Sequence, residues 1–307
     1  MGRASRSRGN LPYRMAVAII EQGRVTANGV DFGYLSCGDG PLALCLHGFP
    51  DSAHTWRDLL PALAGAGFRA IAPFMRGYAP TSVPTDGRYQ GGVLAQDALA
   101  LHDAFGADDR AVIIGHDHGA VAAHGAASAT PERWRRVVTL AVPPGDALVT
   151  SILTNLDQLK RFWYMFFFQH PFADTIVPAG DLAFVDRLWS EWSPGFDGAE
   201  DLALLKPSLR DPANLAAALG YYRAALGGVG LDPALDDLQA ATGHIPPQPS
   251  LYLHGRADGC VGVEVAEMAA ARAPDNLHVS IVDGVGHFLH RERPADINRQ
   301  ILDHVTG

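Results

Sequence analysis

Residues 111–129 read AVIIGHDHGAVAAHGAASA, and this stretch decides the fold. It opens with an apolar run at 111–114, which is typical of a strand buried on both faces. Glycines at 115 and 119 then allow a sharp turn around one exposed side chain, that of Asp117. Small residues follow and favour a closely packed helix. The stretch therefore predicts a strand, a tight turn that presents Asp117, and a helix; as a purely structural alternative, Asp117 is an ordinary helix N-cap.

Outward from this unit, short β-rich runs alternate with helical stretches, which indicates an α/β fold with a mostly parallel central sheet flanked by helices. The predicted strands are 30–36, 42–47, 69–74, 111–115, 137–142, 250–254 and 278–282. The predicted helices are 55–64, 93–105, 119–129, 263–272 and 295–305. The aromatic, mostly helical segment between them shows no core strand. We expect a core of residues 16–144 and 250–307, an inserted helical lid (cap) of residues 145–249, and a disordered leader at 1–15.

The composition limits the partners of the chain. Of its 307 residues, 48% are hydrophobic, which is enough for a full core, and its 24 basic and 33 acidic residues argue against a nucleic-acid partner. Three scattered cysteines favour a reducing compartment. The apolar runs at 162–168 and 16–20 are too short for a membrane span or a signal peptide. We therefore predict a cytoplasmic protein with no membrane partner; Met1 and Met15 both remain open as the translation start.

The residues that follow the predicted strands supply the chemistry, because open α/β sheets bind ligands at the carboxyl ends of their strands. Asp258 and His287 each follow a predicted strand of the C-terminal quarter. Together with Asp117 they stand in the order nucleophile, acid, histidine, which is the order of a catalytic triad built on such a turn. Asp146 is the alternative acid, and Asp283 is more simply a strand-end residue.

Two features beside the turn complete the candidate site. The sequence His47-Gly48-Phe49-Pro50 follows a predicted strand, and the backbone N–H groups of Phe49 and His118 form a candidate oxyanion hole. We expect this N–H of His118, and not its ring, to face the site. His116 and His118 flank Asp117, but the chain turns there and no third ligand is visible, so we predict no metal site.

These motifs resemble the α/β-hydrolase superfamily and, within it, the epoxide hydrolases. The resemblance runs from about residue 25 to the C-terminus. It rests on His-Gly-Phe-Pro at 47–50, Arg-Gly-Tyr at 76–78, Gly-His-Asp-x-Gly at 115–119, Gly-x-x-Asp at 255–258 and Gly-x-Gly-His-Phe at 284–288. It implies the α/β-hydrolase fold with a helical lid. It also implies that Asp117 forms a covalent ester with the substrate, and that His287, oriented by Asp258, activates the water that hydrolyses this ester.

Epoxide hydrolases of this type have two lid tyrosines that donate hydrogen bonds to the epoxide oxygen, and the resemblance assigns them to Tyr164 and Tyr222. Tyr164 stands before Gln-x-Pro with the matching spacing, and Tyr222 matches an aromatic-Tyr-Arg sequence. Tyr221 replaces Tyr222 if the helix register is shifted, and simple packing is the alternative role for either. The candidate substrate-contact residues are Phe49, His116, Trp163, Phe167 and Tyr221.

The activity that the resemblance implies is the opening of a small apolar epoxide by water to a vicinal diol, without a cofactor, in a monomer or homodimer.

A haloalkane or haloacid dehalogenase with the same triad is the first alternative. Haloalkane dehalogenases place Trp after the nucleophile and usually Asn or Trp after His-Gly, where this chain has His118 and Phe49. Fluoroacetate dehalogenases carry arginines just past the nucleophile, where the first Arg here is Arg133. Trp is also frequent after the nucleophile of epoxide hydrolases, so His118 departs from that pattern as well. A non-catalytic binder of small ligands is the second alternative.

Overall fold

The structure is a computed structural model that describes residues 19–307. The predictions on the disordered leader and on the start at Met1 or Met15 lie outside the described residues. Its strands are β1 Glu21–Ala27, β2 Val30–Cys37, β3 Leu42–Leu46, β4 Arg69–Pro73, β5 Val112–His116, β6 Arg136–Leu140, β7 Ser250–Gly255 and β8 Leu277–Val282.

The helices fall into three groups along the chain. Before β6 come α1 Leu59–Gly65, α2 Gly91–Ala104 and α3 His118–Ala129. Between β6 and β7 come α4 Ala147–Thr154, α5 Leu156–Arg161, α6 Trp163–Phe167, α7 Ala173–Ile176, α8 Ala179–Trp192, α9 Ala199–Leu205, α10 Pro212–Gly227 and α11 Asp236–Ala241. The last are α12 Val263–Ala271, α13 Leu289–Glu292 and α14 Pro294–Thr306. Within residues 19–307, no helix combines the length and apolarity that crossing a bilayer requires.

The strands form one sheet in the order β1-β2-β4-β3-β5-β6-β7-β8, in which β1 and β2 run antiparallel to their neighbours and the other strands are parallel. Leu46 at the end of β3 pairs with Gly115, and His116 pairs with Leu140 at the end of β6. The carboxyl ends of the three central strands therefore meet at one edge of the sheet. The predicted mostly parallel sheet flanked by helices is confirmed.

The centre of the sheet is buried on both faces, as the apolar run at 111–114 predicts. Every residue of β3 and β5 is buried. Burial of an isoleucine such as Ile113 stabilises the fold by about 1.5–3 kcal/mol. Helix α3 approaches α2 so closely that a Cβ atom on Gly125 would lie 2.7 Å from the Cβ of Ala95. The small residues of α3 are thus a packing requirement, and they hold the turn at Asp117 against the sheet.

The structure corrects the sequence prediction at two places. β1 was not predicted, because it is a half-exposed edge strand with few apolar residues. It pairs with β2 through a two-residue turn at Asn28-Gly29, where both residues have positive φ and the sequence is typical of a tight hairpin. The helix predicted over 55–64 begins instead as a 3-10 turn, Ala53–Trp56, and the α-helix starts only at Leu59.

Residues 141–249, which we call the helical insertion, contain helices α4 to α11 and no strand. The two ends of the insertion rest on the core, since α4 packs against α12 and α11 packs against α2 and α3. In its middle, α6 contacts α10. The division of the chain into a core and a lid of residues 145–249 stays a prediction, and α11, which was assigned to the lid, packs on core helices.

Candidate active site

The turn after β5 holds Asp117 in a conformation that close packing imposes. Asp117 has φ 53° and ψ −119°, in the region that non-glycine residues enter at a cost of about 1–3 kcal/mol. A Cβ on Gly115 would lie 2.2 Å from the carbonyl oxygen of Gly119, and one on Gly119 would lie 2.1 Å from that of Leu46. A Cβ on Gly48 would lie 2.3 Å from Oδ1 of Asp117. Glycine at 48 thus leaves room for the carboxylate, and glycine at 115 and 119 lets the backbone of the turn pack closely.

The structure brings the three residues of the predicted triad together. Nδ1 of His287 lies 2.9 Å from Oδ2 of Asp258, and Nε2 of the same ring lies 3.9 Å from Oδ2 of Asp117. A carboxylate only accepts hydrogen bonds, so Nδ1 carries the hydrogen and Nε2 has the lone pair of the neutral ring. Nε2 has no hydrogen-bond partner within residues 19–307. The imidazole is therefore free to take a proton on the side of Asp117.

The loop after β7 orients Asp258, the predicted acid. The backbone N–H groups of Cys260 and Val261 donate to Oδ1 of Asp258 at 2.7 and 2.8 Å, which leaves Oδ2 for His287. The alternative acid, Asp146, lies elsewhere, because it is exposed and pairs with Arg272. Asp283, the strand-end residue, is also exposed and pairs with Arg256. Of the two candidate acids, Asp258 alone contacts the histidine.

The predicted oxyanion hole lies beside Asp117. The N–H of Phe49 donates to Oδ1 of Asp117 at 2.9 Å. His118 is the first residue of α3, where backbone N–H groups lack intrahelical acceptors. His118 also lines the cavity described below, and its ring packs edge-on against Tyr221 and Tyr222 at centroid distances of 5.2 and 4.9 Å. That its N–H, and not its ring, faces the site stays a prediction.

Charges around the triad oppose the effect of burial on both titrating groups. Burial raises the pKa of Asp117, but His118, His287, His116 and the Phe49 amide outweigh it and bring the pKa below its ordinary value. Burial lowers the pKa of His287, but the charge and hydrogen bond of Asp258 and the charge of Asp117 raise it above its ordinary value. Asp117 is thus a carboxylate at neutral pH, and His287 becomes an effective base as the pH rises through its raised pKa.

Two buried phenols from the helical insertion face Asp117. Tyr164 of α6 and Tyr222 of α10 line the same cavity as Asp117, and their ring centroids are 5.5 Å apart. The Tyr164 hydroxyl lies 3.4 Å from Sγ of Cys260, and the Tyr222 hydroxyl has no hydrogen-bond partner in the described part of the chain. Burial raises the pKa of both phenols well above 10, so both keep their hydrogen. Tyr221 donates its hydroxyl hydrogen to the carbonyl of Arg76 at 2.8 Å, which leaves Tyr222 as the phenol of this pair with a free hydroxyl.

The cavity between the core and the helical insertion has a volume of about 410 Å³. Its wall is mostly apolar, and much of that wall comes from residues that were not predicted, namely Val142, Leu148, Ile152, Met165 and Val261. The sequence indicates these lining residues only through their positions in the chain, because several follow strand ends or belong to the helical insertion. Asp117, Tyr164 and Tyr222 are among the few polar groups that face this space.

Not all of the predicted substrate-contact residues line the cavity. Tyr221 lines the cavity with its ring. Trp163 and Phe167 do not, because α6 turns them to another side, where each packs against Phe184 at centroid distances of 5.6 and 5.7 Å. The ring of Phe49 is buried against Tyr222 and is not part of the lining, so Phe49 meets the site through its N–H.

His116, another predicted substrate contact, points away from the cavity. Its Nε2 hydrogen is donated to the carbonyl of His287 at 3.0 Å, and one nitrogen of its ring lies with Asp51 and His290 in a buried cluster whose nitrogen and oxygen atoms are within 4.8 Å of one another. The sequence does not reveal this cluster, because its three residues are far apart in the chain. Burial lowers the pKa of His116 to about 3 and raises that of Asp51 to about 7. Oδ2 of Asp51 and the Nδ1 atoms of His116 and His290 have no hydrogen-bond partner within residues 19–307. The expected absence of a metal stays a prediction.

The geometry agrees with what sequence comparison finds. The family model described as alpha/beta hydrolase fold matches residues 41–294. The chain belongs to the α/β-hydrolase fold family. Within this family it is similar to an epoxide hydrolase of Caballeronia sordidicola, at 30% identity over 313 residues that cover 92% of this chain and 93% of that protein. It is also similar to epoxide hydrolase A of Mycobacterium tuberculosis, at 29% identity over 314 residues that cover 92% and 96%.

Solved structures of α/β hydrolases agree with the same assignment. The crystal structure of epoxide hydrolase A from Mycobacterium thermoresistibile superimposes with a TM-score of 0.78 at 28% identity, covering 94% of this chain and 99% of that one. An epoxide hydrolase from an endophytic Streptomyces superimposes with a TM-score of 0.74 at 26% identity, covering 95% and 96%. The predicted α/β-hydrolase fold and the resemblance to epoxide hydrolases are confirmed.

Proposed function

We propose that the protein is an epoxide hydrolase that opens an epoxide to a vicinal diol through an ester on Asp117. One observation carries the proposal: an ionised carboxylate and two buried phenols that keep their hydrogens line one apolar cavity, and a histidine backed by a second carboxylate lies 3.9 Å from the first carboxylate. The names of the similar proteins support the same substrate class.

The first step uses the carboxylate and the phenols. An epoxide presents a strained saturated carbon, so an oxygen of Asp117 attacks that carbon while the ring C–O bond breaks. The lowered pKa of Asp117 supports this role because the nucleophile needs no base. The ring oxygen leaves with the bonding electrons and takes a proton from a phenol of the pair Tyr164 and Tyr222. The product of this step is a hydroxyalkyl ester of Asp117.

The second step uses the histidine and the backbone N–H groups. Nε2 of His287 takes a proton from a water molecule whose oxygen attacks the ester carbonyl carbon of Asp117. The N–H of Phe49, already 2.9 Å from Oδ1, and that of His118 stabilise the tetrahedral oxyanion. Collapse of the intermediate releases the diol and restores the carboxylate, and the proton taken up by His287 balances the one lost by the phenol. The residues require no cofactor for these steps.

The wall of the cavity supports a small apolar epoxide as the substrate. The volume of about 410 Å³ lies in the range of sites for small organic molecules, and the apolar lining favours an aromatic or aliphatic substituent. A dehalogenase would use the same triad but would have no leaving oxygen to receive the two phenol hydrogens. A pure ligand binder would need neither the triad nor the phenols.

The test is to trap the ester. With His287→Gln and styrene oxide, intact mass spectrometry is expected to show an adduct of the mass of the substrate, because the ester forms and its hydrolysis stalls. Asp117→Asn is the matched control and is expected to show neither adduct nor diol. A His287→Gln protein with full turnover and no adduct contradicts the proposal. Chloride release from haloalkanes without diol from styrene oxide would identify a dehalogenase, and binding without consumption a ligand binder.

A further inference from the structure

The two phenols of the cavity have different surroundings. The hydroxyl of Tyr164 lies 3.4 Å from Sγ of Cys260, a residue that is 1% exposed and lines the same cavity. The hydroxyl of Tyr222 has no hydrogen-bond partner among the residues that the structure describes. The steps proposed above treat the phenols alike and give Cys260 no role.

The position of the thiol is set by the framework of the catalytic acid. The N–H of Cys260 donates to Oδ1 of Asp258 at 2.7 Å, and its carbonyl accepts a hydrogen bond from Nε2 of Gln158 at 2.9 Å. Gln158 is fully buried in α5, and its Oε1 accepts the N–H of Gly262 at 2.8 Å. The backbone of Cys260 is thus held on both sides, and its side chain reaches Tyr164 from a rigid support.

The thiol of Cys260 can act as either donor or acceptor in its hydrogen bond with the phenol of Tyr164. It is both a weak donor and a weak acceptor, and it rotates about its Cβ–Sγ bond. In the free enzyme the sulfur accepts the phenol hydrogen of Tyr164, a bond that an epoxide oxygen replaces at little cost. Once the phenol hydrogen points to the epoxide, the S–H can turn to the phenol oxygen. Burial raises the pKa of Cys260 well above 9, so the hydrogen stays on the sulfur.

We propose that Cys260 is a positioning residue for ring opening, whose S–H donates to the oxygen of Tyr164 so that Tyr164, and not Tyr222, gives up its proton. This rests on the proposed epoxide hydrolase function. As the bond from Asp117 to carbon forms and the ring C–O bond breaks, the ring oxygen takes the proton of Tyr164. The S–H bond stays intact and its hydrogen bond strengthens, because the acceptor has become an anion. Tyr222 donates a hydrogen bond throughout and keeps its proton.

The test compares two buried thiols. Cys45 is the matched control, because it is fully buried in β3, does not line the cavity, and donates its thiol hydrogen to the Ala43 carbonyl oxygen at 3.8 Å. In single-turnover experiments with styrene oxide, Cys260→Ala is expected to slow ester formation about tenfold, the loss of one hydrogen bond to a charged group. Cys260→Ser, which restores a donor, is expected to stay within about threefold of the unchanged protein. Cys45→Ala is expected to leave the rate unchanged.

The pairing with one phenol is tested by combined substitutions. Cys260→Ala is expected to have no further effect on ester formation in Tyr164→Phe, whose phenol is absent, and to keep its full effect in Tyr222→Phe. Equal effects in both backgrounds would overturn the proposal. The S–H stretching band gives a second measurement that needs no turnover. It is expected to differ between the unchanged protein and Tyr164→Phe and to be the same in Tyr222→Phe.

The outcomes separate this inference from the proposed function. If the unchanged protein forms no ester with styrene oxide, the epoxide hydrolase function fails. If the ester forms and Cys260→Ala behaves like Cys45→Ala, the function stands and the role of Cys260 is refuted.

Discussion

At the scale of single residues, Tyr221 and Tyr222 show how two neighbouring phenols acquire different chemistry. Consecutive residues of a helix point about 100° apart, so α10 turns the two hydroxyls to different partners. The hydroxyl of Tyr221 is bonded to the carbonyl of Arg76, while that of Tyr222 has no partner within the described range and lies beside Asp117. Of this pair, only Tyr222 therefore has a free hydroxyl.

We expect Tyr222→Phe to lower the rate of ester formation with styrene oxide by about 10- to 100-fold, because the departing oxygen loses a hydrogen bond. Tyr221→Phe is the matched variant. It removes the bond to Arg76 and is expected to lower the free energy of unfolding by about 1 kcal/mol with a smaller loss of rate. Stopped-flow single turnover and urea unfolding measure the two effects. A larger rate loss in Tyr221→Phe would reverse the assignment of the two phenols.

The charge of Asp117 also acts on the pKa of His287. It is one of the causes that raise the pKa of His287, after the opposing effect of burial and the effects of Asp258. Asp117→Asn removes one negative charge, so the pKa of His287 measured by NMR is expected to fall. Asp283→Asn is the control, because the carboxylate of Asp283 is exposed and pairs with Arg256. This substitution is expected to leave the pKa of His287 unchanged.

This prediction has a consequence for the pH profile. In the proposed mechanism, formation of the ester removes the same charge, so the pKa of His287 is expected to be lower in the ester than in the free enzyme. A base acts in its neutral form, and the rate of ester hydrolysis therefore rises with pH through that lower pKa. An unchanged pKa in Asp117→Asn would show that the carboxylate does not act on the ring.

At the scale of elements, the contact of β5 and α3 with β3 determines whether the turn can form. A Cβ on Gly119 would lie 2.1 Å from the carbonyl oxygen of Leu46, which is rigid backbone in the middle of the sheet. At Gly65, the last residue of α1, an added Cβ meets nothing within 4 Å. Replacement by alanine is therefore expected to have opposite effects on stability at Gly119 and Gly65.

We expect Gly119→Ala to lower the free energy of unfolding by more than about 3 kcal/mol, because β3 and α3 must move apart. Gly65→Ala is expected to raise it by about 0.5–1 kcal/mol through the reduced entropy of the unfolded chain. Urea unfolding followed by circular dichroism measures both. A Gly119→Ala protein as stable as the unchanged one would refute the close approach of the two elements.

At the scale of the whole molecule, both the core and the helical insertion line the cavity. Leu148 lines the cavity from α4, whereas its neighbour Val149 is 60% exposed. Leu148→Trp is expected to lower kcat/KM for styrene oxide at least about tenfold and to affect the smaller propylene oxide less, because the ring fills the cavity. Val149→Trp is the control and is expected to change neither. Equal losses for both epoxides in Leu148→Trp would place the added ring outside the cavity.

The local patterns of the sequence were sufficient to predict the sheet, the turn at Asp117, and the positions of Asp258 and His287 after their strands. Each of these depends on residues that are neighbours in the chain: apolar runs, flanking glycines and the order of motifs. The resemblance then directed attention to Tyr164 and Tyr222. The exposed edge strand β1 was missed because its alternation is weak, although the Asn28-Gly29 turn indicates a hairpin.

Only the tertiary structure decided which side chains share a space. It separated Tyr222 from Tyr221, placed Trp163 outside the cavity, and brought Cys260 to Tyr164 across 96 residues of chain. The physical reason is that a sequence pattern specifies which face of an element is apolar, while the rotation of one helix against another is set by packing between distant segments. The chain by itself thus determined which residues follow the strands at the sheet edge, and packing determined which groups surround them.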